Sequence, residues 1–164
     1  MIIRPFGLED VQYVAEQQLL LNKYHQQFDE GFYAPAGTAL EEFSQYVSKR
    51  VADSQFALLI AEDGTQQLGY VMGWIEIRPP IYRHYKVGYV SNIFVAEKQR
   101  HSGIGRCLYM AIEERFIAHN VDFIEIRSDA RNAKTISAFK KYGFEELSLA
   151  LYKSPRKAAM PRQP

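Results

Sequence analysis

A chain of 164 residues, 47% of them hydrophobic, can fill one core and is short for two full domains. Twenty Lys and Arg stand against nineteen Asp and Glu, and a formal charge of +1 offers nucleic acid or an anionic membrane no global attraction. The single cysteine, Cys107, excludes an internal disulfide and gives no metal-ligand spacing.

Met1 to Arg4 reads as a first strand and Leu8 to about Tyr24 as a helix, with Val11, Val14, Ala15, Gln18 and Leu19 along one face. Thr38-Ala39-Leu40-Glu41 is a capping-box pattern that starts a second helix through about Val51. Strands follow at Gln55 to Ala61 and Leu68 to Arg78, joined through the hairpin-type turn Asp63-Gly64, and Pro79-Pro80 stops the second of them. Tyr85 to Val95 is a fourth strand, Gly103 to Ala118 a third helix, and Val121 to Ser128 a fifth strand. Asn132 to Tyr142 is a fourth helix and Phe144 to Lys153 a closing strand. The order βααβββαβαβ predicts a single α/β domain over residues 1–153, with a mixed sheet and helices on both faces.

Cys107, among Ile104, Leu108 and Ile112, reads as a buried structural thiol. Residues 154–164 hold three prolines and several basic residues with no apolar period, and read as a flexible basic tail. No charged leader with an apolar core opens the chain, and no apolar run approaches the ~18 residues of a membrane span. The expectation is a soluble cytoplasmic protein with neither membrane nor nucleic acid as partner.

The fourth strand runs out into Arg100-His101-Ser102-Gly103-Ile104-Gly105 and then a helix. A strand, a glycine-bearing turn and a helix start aim unpaired N–H groups and a positive dipole end at one point, which suits a pyrophosphate. Neither the dinucleotide fingerprint nor the phosphate-loop spacing is matched. The pattern is Arg-x-x-Gly-x-Gly, with glycines where a Cβ would meet a ligand or a crossing backbone. Alone, it is explained about as well by an ordinary loop-to-helix start. A second segment adds to it: Asn132, then a helical run to Tyr142, then Gly143-Phe144.

With both segments the chain resembles the Gcn5-related N-acetyltransferase family, from Ile2 to about Lys153. The family's acetyl-CoA motif is [Gln/Arg]-x-x-Gly-x-[Gly/Ala] after the fourth strand, and an Asn begins a later helix that ends in Gly-Phe. The resemblance implies an acetyl-CoA-dependent N-acetyltransferase whose fourth and fifth strands splay apart, with the pantetheine arm of coenzyme A in the gap. Carried onto this sequence, the backbone of Ile93, Phe94 and Val95 would hold the pantetheine amides. The N–H groups of His101, Ser102, Gly103, Ile104, Gly105 and Arg106 would wrap the pyrophosphate beside Arg100. Asn132 would face the cofactor, serve as an ordinary helix N-cap, or do both.

The reaction so implied is direct attack of an acceptor amine on the thioester, with no acyl-enzyme and no role for Cys107 as nucleophile. The developing oxyanion needs a donor, and a backbone N–H of the fourth strand near Phe94 is the candidate, since a bulge there would leave it unpaired. A lysine-type amine titrates near ~10.4, so at pH 7 its free base is about one part in 2,500, a penalty of roughly 4–5 kcal/mol. Expelling a thiolate of pKa ~8.5 costs only about 2 kcal/mol. Deprotonating the acceptor therefore matters more than protonating the leaving group.

Two departures from the family follow. Phe139 stands where many members place the Tyr that protonates the departing thiolate, and Tyr142 lies about 4.5 Å further along the helix. Tyr89, a poor base, stands where histone-type members place a Glu. Glu76, between Trp74, Ile75 and Ile77, is the next candidate base, unless it is solvated or paired with Arg78 or Arg83; His84 is another.

In the family, acceptor recognition comes from the segment between the first two helices and from the loop before the fourth strand. The first holds Asp29, Glu30 and Tyr33 with Phe28 and Phe32, acidic and aromatic groups that suit a small cationic amine. The second, Ile81 to Lys86, holds Arg83, His84 and Lys86 and suits a carboxylate or phosphate on the acceptor. Both segments read equally as solvated loops. A small-molecule amine is the preferred acceptor and a protein or peptide amine the alternative. Phe139 and Tyr89 favour a different class, an acyl-CoA-binding sensor with little turnover, and a protein that uses the turn for another nucleotide is a third. Sheets of this family often pair through late strands, which makes a homodimer one expected arrangement.

Overall fold

The computed structural model describes residues 1–153, so the predicted tail at 154–164 lies outside the described residues. The chain divides into two compact units, Met1–Asp129 and Ala130–Pro164. The first holds β1 (Ile2–Pro5), α1 (Val11–His25), α2 (Ala39–Ser48), β2 (Phe56–Asp63), β3 (Gln66–Ile77), β4 (Lys86–Val95), α3 (Ile104–Ala118) and β5 (Phe123–Ile126). The second holds α4 (Ala133–Lys141). The predicted order stands through α4. The closing strand does not form: Phe144 to Lys153 carries no strand, and Leu147, Leu149 and Leu151 are exposed, so the alternation that suggested it buries nothing.

The sheet order is β1-β2-β3-β4-β5, antiparallel throughout except for the parallel pair β4 and β5. The β2–β3 turn is Gly64-Thr65, one residue on from the expected Asp63-Gly64, because Asp63 still pairs with Gln66; Gly64 sits at φ 58°, where a β-carbon is disfavoured. One sheet face packs Phe56, Leu58, Ile60 and Tyr70 against Val14 of α1 and Val47 of α2. The other face lies under α3, whose Ile104, Leu108, Ile112 and Phe116 recur at four-residue spacing and are all buried. Each of the four contributes about 2 kcal/mol on burial.

Glycines in β3 and β4 let α3 lie close. A Cβ built on Gly88 would come within 2.6 Å of the Phe116 ring, and one on Gly73 within 3.0 Å of Ile112 Cδ1. Cys107 is exposed, contrary to expectation, because the buried line steps from Ile104 directly to Leu108 and leaves position 107 on the flank. Thr38 is the α2 N-cap, but its hydroxyl donates to Glu42 Oε1 (2.8 Å), so the capping box with Glu41 is not made.

A buried ion pair ties β1 to the start of α1. Asp10 is fully buried and accepts from Arg4 at 2.6 and 2.9 Å, from the Gly7 N–H at 2.9 Å and from Gln67 at 2.5 Å. Burial pushes its carboxyl up, but the bonds from Arg4 and Gly7 outweigh it and hold the group below the usual carboxylate range.

Candidate active site

Along β4 the sheet changes character. From Val87 to Val90 the strand pairs on both sides, with β3 and with β5, and the β5 register ends at Val90↔Ile126. From Ser91 to Val95 it pairs with β3 alone and, among the described residues, takes no strand partner on the β5 side. β5 is shorter than predicted at both ends. At its start, the Asp122 side chain, rather than a ladder, takes the N–H groups of Tyr85 (2.9 Å) and Lys86 (2.8 Å).

Where β5 stops, β4 gains a residue. Gly73 faces Val90 and Met72 faces Asn92, so Ser91 is a bulge. Ala96 donates to the Leu68 carbonyl at 2.9 Å, and antiparallel alternation carries that phase to Tyr70↔Phe94 and Met72↔Asn92. Phe94 therefore turns its N–H and C=O to β3; its carbonyl lies 2.4 Å from where a Cβ on Gly69 would stand. Ile93 and Val95 turn theirs to the open side. This corrects the expectation for Phe94: the bulge is three residues earlier, and the amides that face the gap are those of its two neighbours. The Phe94 ring is buried and stacks with Tyr70, centroids 5.9 Å apart.

Past β4 the chain enters the predicted anion turn. His101 (φ 67°) and Gly103 (φ 89°) are left-handed, and Gly103 is the N-cap of α3, with nothing within 4 Å of a built Cβ. Among the described residues, the N–H groups of His101, Ser102, Gly103, Ile104 and Gly105 meet no acceptor in the protein. The Arg106 N–H already donates to Gly103 C=O (3.0 Å), so the run available to an anion ends one residue earlier than predicted. Ser102 Oγ donates to Gln99 C=O (2.5 Å), and Arg100 Nε donates to Val95 C=O (3.3 Å), which anchors the turn to the end of β4. Five unsatisfied donors at a helix N-terminus, with space above them, fit a pyrophosphate.

The other predicted residues fall in three places. Glu76 lies 3.6 Å from Arg78 with its side chain 43% exposed. It stands opposite Val87, four residues or about 13 Å of strand short of Ser91, so the paired, solvated alternative is the one seen. Tyr89 packs on Trp74, centroids 4.7 Å apart, and burial pushes its phenol above the ordinary value, which leaves it no base. In the second unit, the Asn132 side chain accepts from Thr135 N–H (3.2 Å) as an N-cap, and Phe139 packs on Phe144, centroids 5.6 Å apart.

The last turn of α1 and the α1–α2 segment meet residues that follow each strand bordering the gap. The Arg100 guanidinium lies 6.0 Å from the Tyr24 ring, and the Tyr33 hydroxyl donates to Asp129 Oδ2 at 3.1 Å. Asp29 accepts from Phe32 N–H at 2.9 Å, which builds the turn, and Glu30 is exposed beside it. His25, whose ring lies 5.1 Å from Tyr33, is held neutral at pH 7: burial lowers its pKa against an opposing pull from Asp129.

Sequence reading missed His25, Asp129 and the polar pair Gln18 and Asn92. Gln18 was placed on the apolar face of α1 and Asn92 inside an apolar strand; a polar side chain at a core-facing position was the available signal for both.

The profile of the acetyltransferase (GNAT) family matches residues 18–144. The chain belongs to the GNAT acetyltransferase family. A mutant of the BH1408 protein from Bacillus halodurans superposes with a TM-score of 0.84 at 22% identity, covering 94% of this chain and 99% of that one. A predicted acetyltransferase from Clostridium acetobutylicum, solved with acetyl-CoA, gives 0.70 at 20% identity over 93% and 95%. Aminoglycoside N-acetyltransferase AAC(6')-Iy, in complex with CoA, gives 0.74 at 16% identity over 95% of each chain. No curated protein matches the chain. This GNAT chain thus has the fold of the family, and acetyl-CoA is the family's donor. Among its described residues no helix is long and apolar enough to cross a membrane, and no cluster of metal-ligating side chains is present.

Proposed function

We propose that this GNAT protein is an N-acetyltransferase that moves the acetyl group of acetyl-CoA to a primary amine on a small molecule. The observation that carries the reading is continuity. Two amides, Ile93 and Val95, face the side of β4 that β5 vacates, and six residues later begins a run of unsatisfied N–H groups at the head of α3. That is one hydrogen-bonding track, of a strand edge and then a helix N-terminus, suited to an extended amide-bearing chain that ends in a pyrophosphate.

When bound, acetyl-CoA supplies an activated acetyl group as a thioester. The residues present do the rest by position. Ile93 N–H is the donor nearest the bulge that is aimed into the gap, and we assign to it the charge that develops on the acetyl oxygen. Asp29, Glu30 and Tyr33 belong to the segment that borders the gap, and its acid and aromatic groups suit a small cationic amine. An aminoglycoside N-acetyltransferase among the structural neighbours accords with such an acceptor.

A second reading, an acyl-CoA sensor without turnover, is favoured by Phe139, which has no proton to give a thiolate. Thiol release from acetyl-CoA, titrated against polyamines, amino acids, aminoglycosides and short peptides, separates the two when CoA binding is measured by calorimetry on the same sample. Amine-dependent release is expected. Binding without release from any acceptor would establish the sensor instead, and no CoA binding would overturn both.

A further inference from the structure

Ser91 decides which amides the gap receives. Before it, side chains of odd number on β4, such as Tyr89, share the face of Trp74; after it, those of even number, such as Phe94, share the face of Tyr70. If the extra residue were taken up beyond position 94 instead, Phe94 N–H would face the gap and Ile93 N–H would face β3. Something must hold the bulge at 91, and Ser91 is no glycine whose backbone alone selects the site.

A side chain from α1 does so. Gln18 Oε1 accepts from Asn92 Nδ2 at 2.6 Å and from the Tyr70 hydroxyl at 2.8 Å, so both its lone pairs are engaged. Asn92 is the residue directly after the bulge, its Oδ1 accepts from the Ser91 hydroxyl, and Tyr70 is the register partner of Phe94. Gln18 is itself oriented by donating to Asn22 Oδ1 at 2.9 Å. Tyr70 is fully buried and burial raises its phenol pKa, so it remains a donor at any working pH. One carbonyl oxygen thus ties the bulged stretch of β4 to a fixed point on β3.

We propose that Gln18 is a positioning residue: through Asn92 and Tyr70 it locks the β4 bulge at Ser91 and so aims the Ile93 N–H into the gap. The role in turnover rests on the acetyl-transfer reading, whereas the lock itself does not.

Backbone amide exchange on the ligand-free protein tests the lock directly. In the wild type, Phe94 N–H is expected to exchange at least a hundredfold more slowly than Ile93 N–H. In Gln18→Met, of similar length but with no acceptor oxygen, the ratio should collapse to within tenfold. kcat should fall ten- to a hundredfold while the CoA Kd stays within threefold, because the anion turn is untouched. Gln18→Glu keeps an acceptor oxygen for Asn92 and Tyr70, though not the donor to Asn22, and should keep the exchange ratio and most of kcat. Asn92→Ala cuts the same tie from the β4 side and carries the same expectation if Gln18→Met does not fold. A protected Ile93 in the wild type, a ratio unchanged in the variants, or a kcat that falls only in step with CoA affinity would overturn the proposal. If no amine accepts acetyl, the exchange ratios still decide whether the lock exists.

Discussion

The two halves of β4 have the same backbone and opposite tasks. Lys86 to Val90 is roofed by α3, pressed so close at Gly88 that a Cβ would strike Phe116, and hydrogen-bonded on both edges. Ser91 to Val95 gives up one edge, and the amides of Ile93 and Val95 face where the partner strand is missing. A buried sheet would not tolerate such amides without another acceptor, since an unpaired buried N–H costs about 1–3 kcal/mol. Stability is concentrated in the first half and binding capacity in the second, and the single residue Ser91 marks the change.

Two glycine replacements should pull these halves apart. Gly88→Val puts a branched side chain 2.6 Å from the Phe116 ring and should lower unfolding free energy by about 3 kcal/mol, read as a reduced urea midpoint. CoA affinity of the folded fraction should not change. Gly103→Val has open space around it but forces a β-branched residue to φ 89° and projects it over the unsatisfied donors. CoA affinity should drop at least a hundredfold, about 2.7 kcal/mol, with unfolding still cooperative and stability lowered only by the left-handed strain, about 1–2 kcal/mol. Were Gly103→Val to bind CoA normally, the turn would lose its pyrophosphate assignment. Were Gly88→Val to lose CoA affinity in proportion to its stability, the two halves would be one unit.

What was legible in the sequence follows the same division. Arg100 to Gly105 was readable because a turn needs particular residues at particular positions, and Gly103 is in fact left-handed. The order of elements was readable from apolar periodicity up to α4. The bulge was not, because a strand whose two faces are both buried reads as one apolar run, and nothing in Val90-Ser91-Asn92-Ile93-Phe94 marks which residue is extra. Phe94 was therefore chosen where Ile93 faces the gap. Glu76 misled for a related reason: its apolar neighbours suggested burial, whereas its partner, Arg78, is two residues along the same strand edge. Asn92 carries no local sign of its partner, since Gln18 lies across the fold, and Asp10 reads as an ordinary acid at a helix start although Arg4, Gly7 and Gln67 all bond it.

Asp10 offers a perturbation remote from β4, which should weaken both halves equally. Its pKa in the folded protein lies below the ordinary carboxylate value, so its contribution to stability is complete above about pH 4–5 and fades as pH falls through the folded value. The wild-type urea midpoint should decline as pH falls from 5 to 3, and Asp10→Asn should be destabilised at pH 7 but flatter over the acid range. The exchange contrast between Ile93 and Phe94 should survive in Asp10→Asn. Its disappearance there would mean that the bulge depends on overall stability and not on contacts local to β4.

The smallest effect expected concerns the leaving group. Ser91 to Val95 offers the gap its backbone amides, and Phe139 stands where the resemblance to the family places a tyrosine acid. On the proposed transfer to an amine, the acceptor bears a penalty of roughly 4–5 kcal/mol and the thiolate only about 2, so supplying that acid relieves the lesser barrier. Phe139→Tyr should therefore leave kcat unchanged or raise it by up to about tenfold, roughly 1.4 kcal/mol, with the gain largest below pH 8, where a free thiolate is least stable. A gain that rises with pH would contradict leaving-group protonation as its cause. A large loss would mean that the ring, which packs on Phe144 and Tyr142, occupies a place a hydroxyl cannot enter. In that case transfer in this chain relies on the backbone track of β4 and α3, without a side-chain acid from position 139.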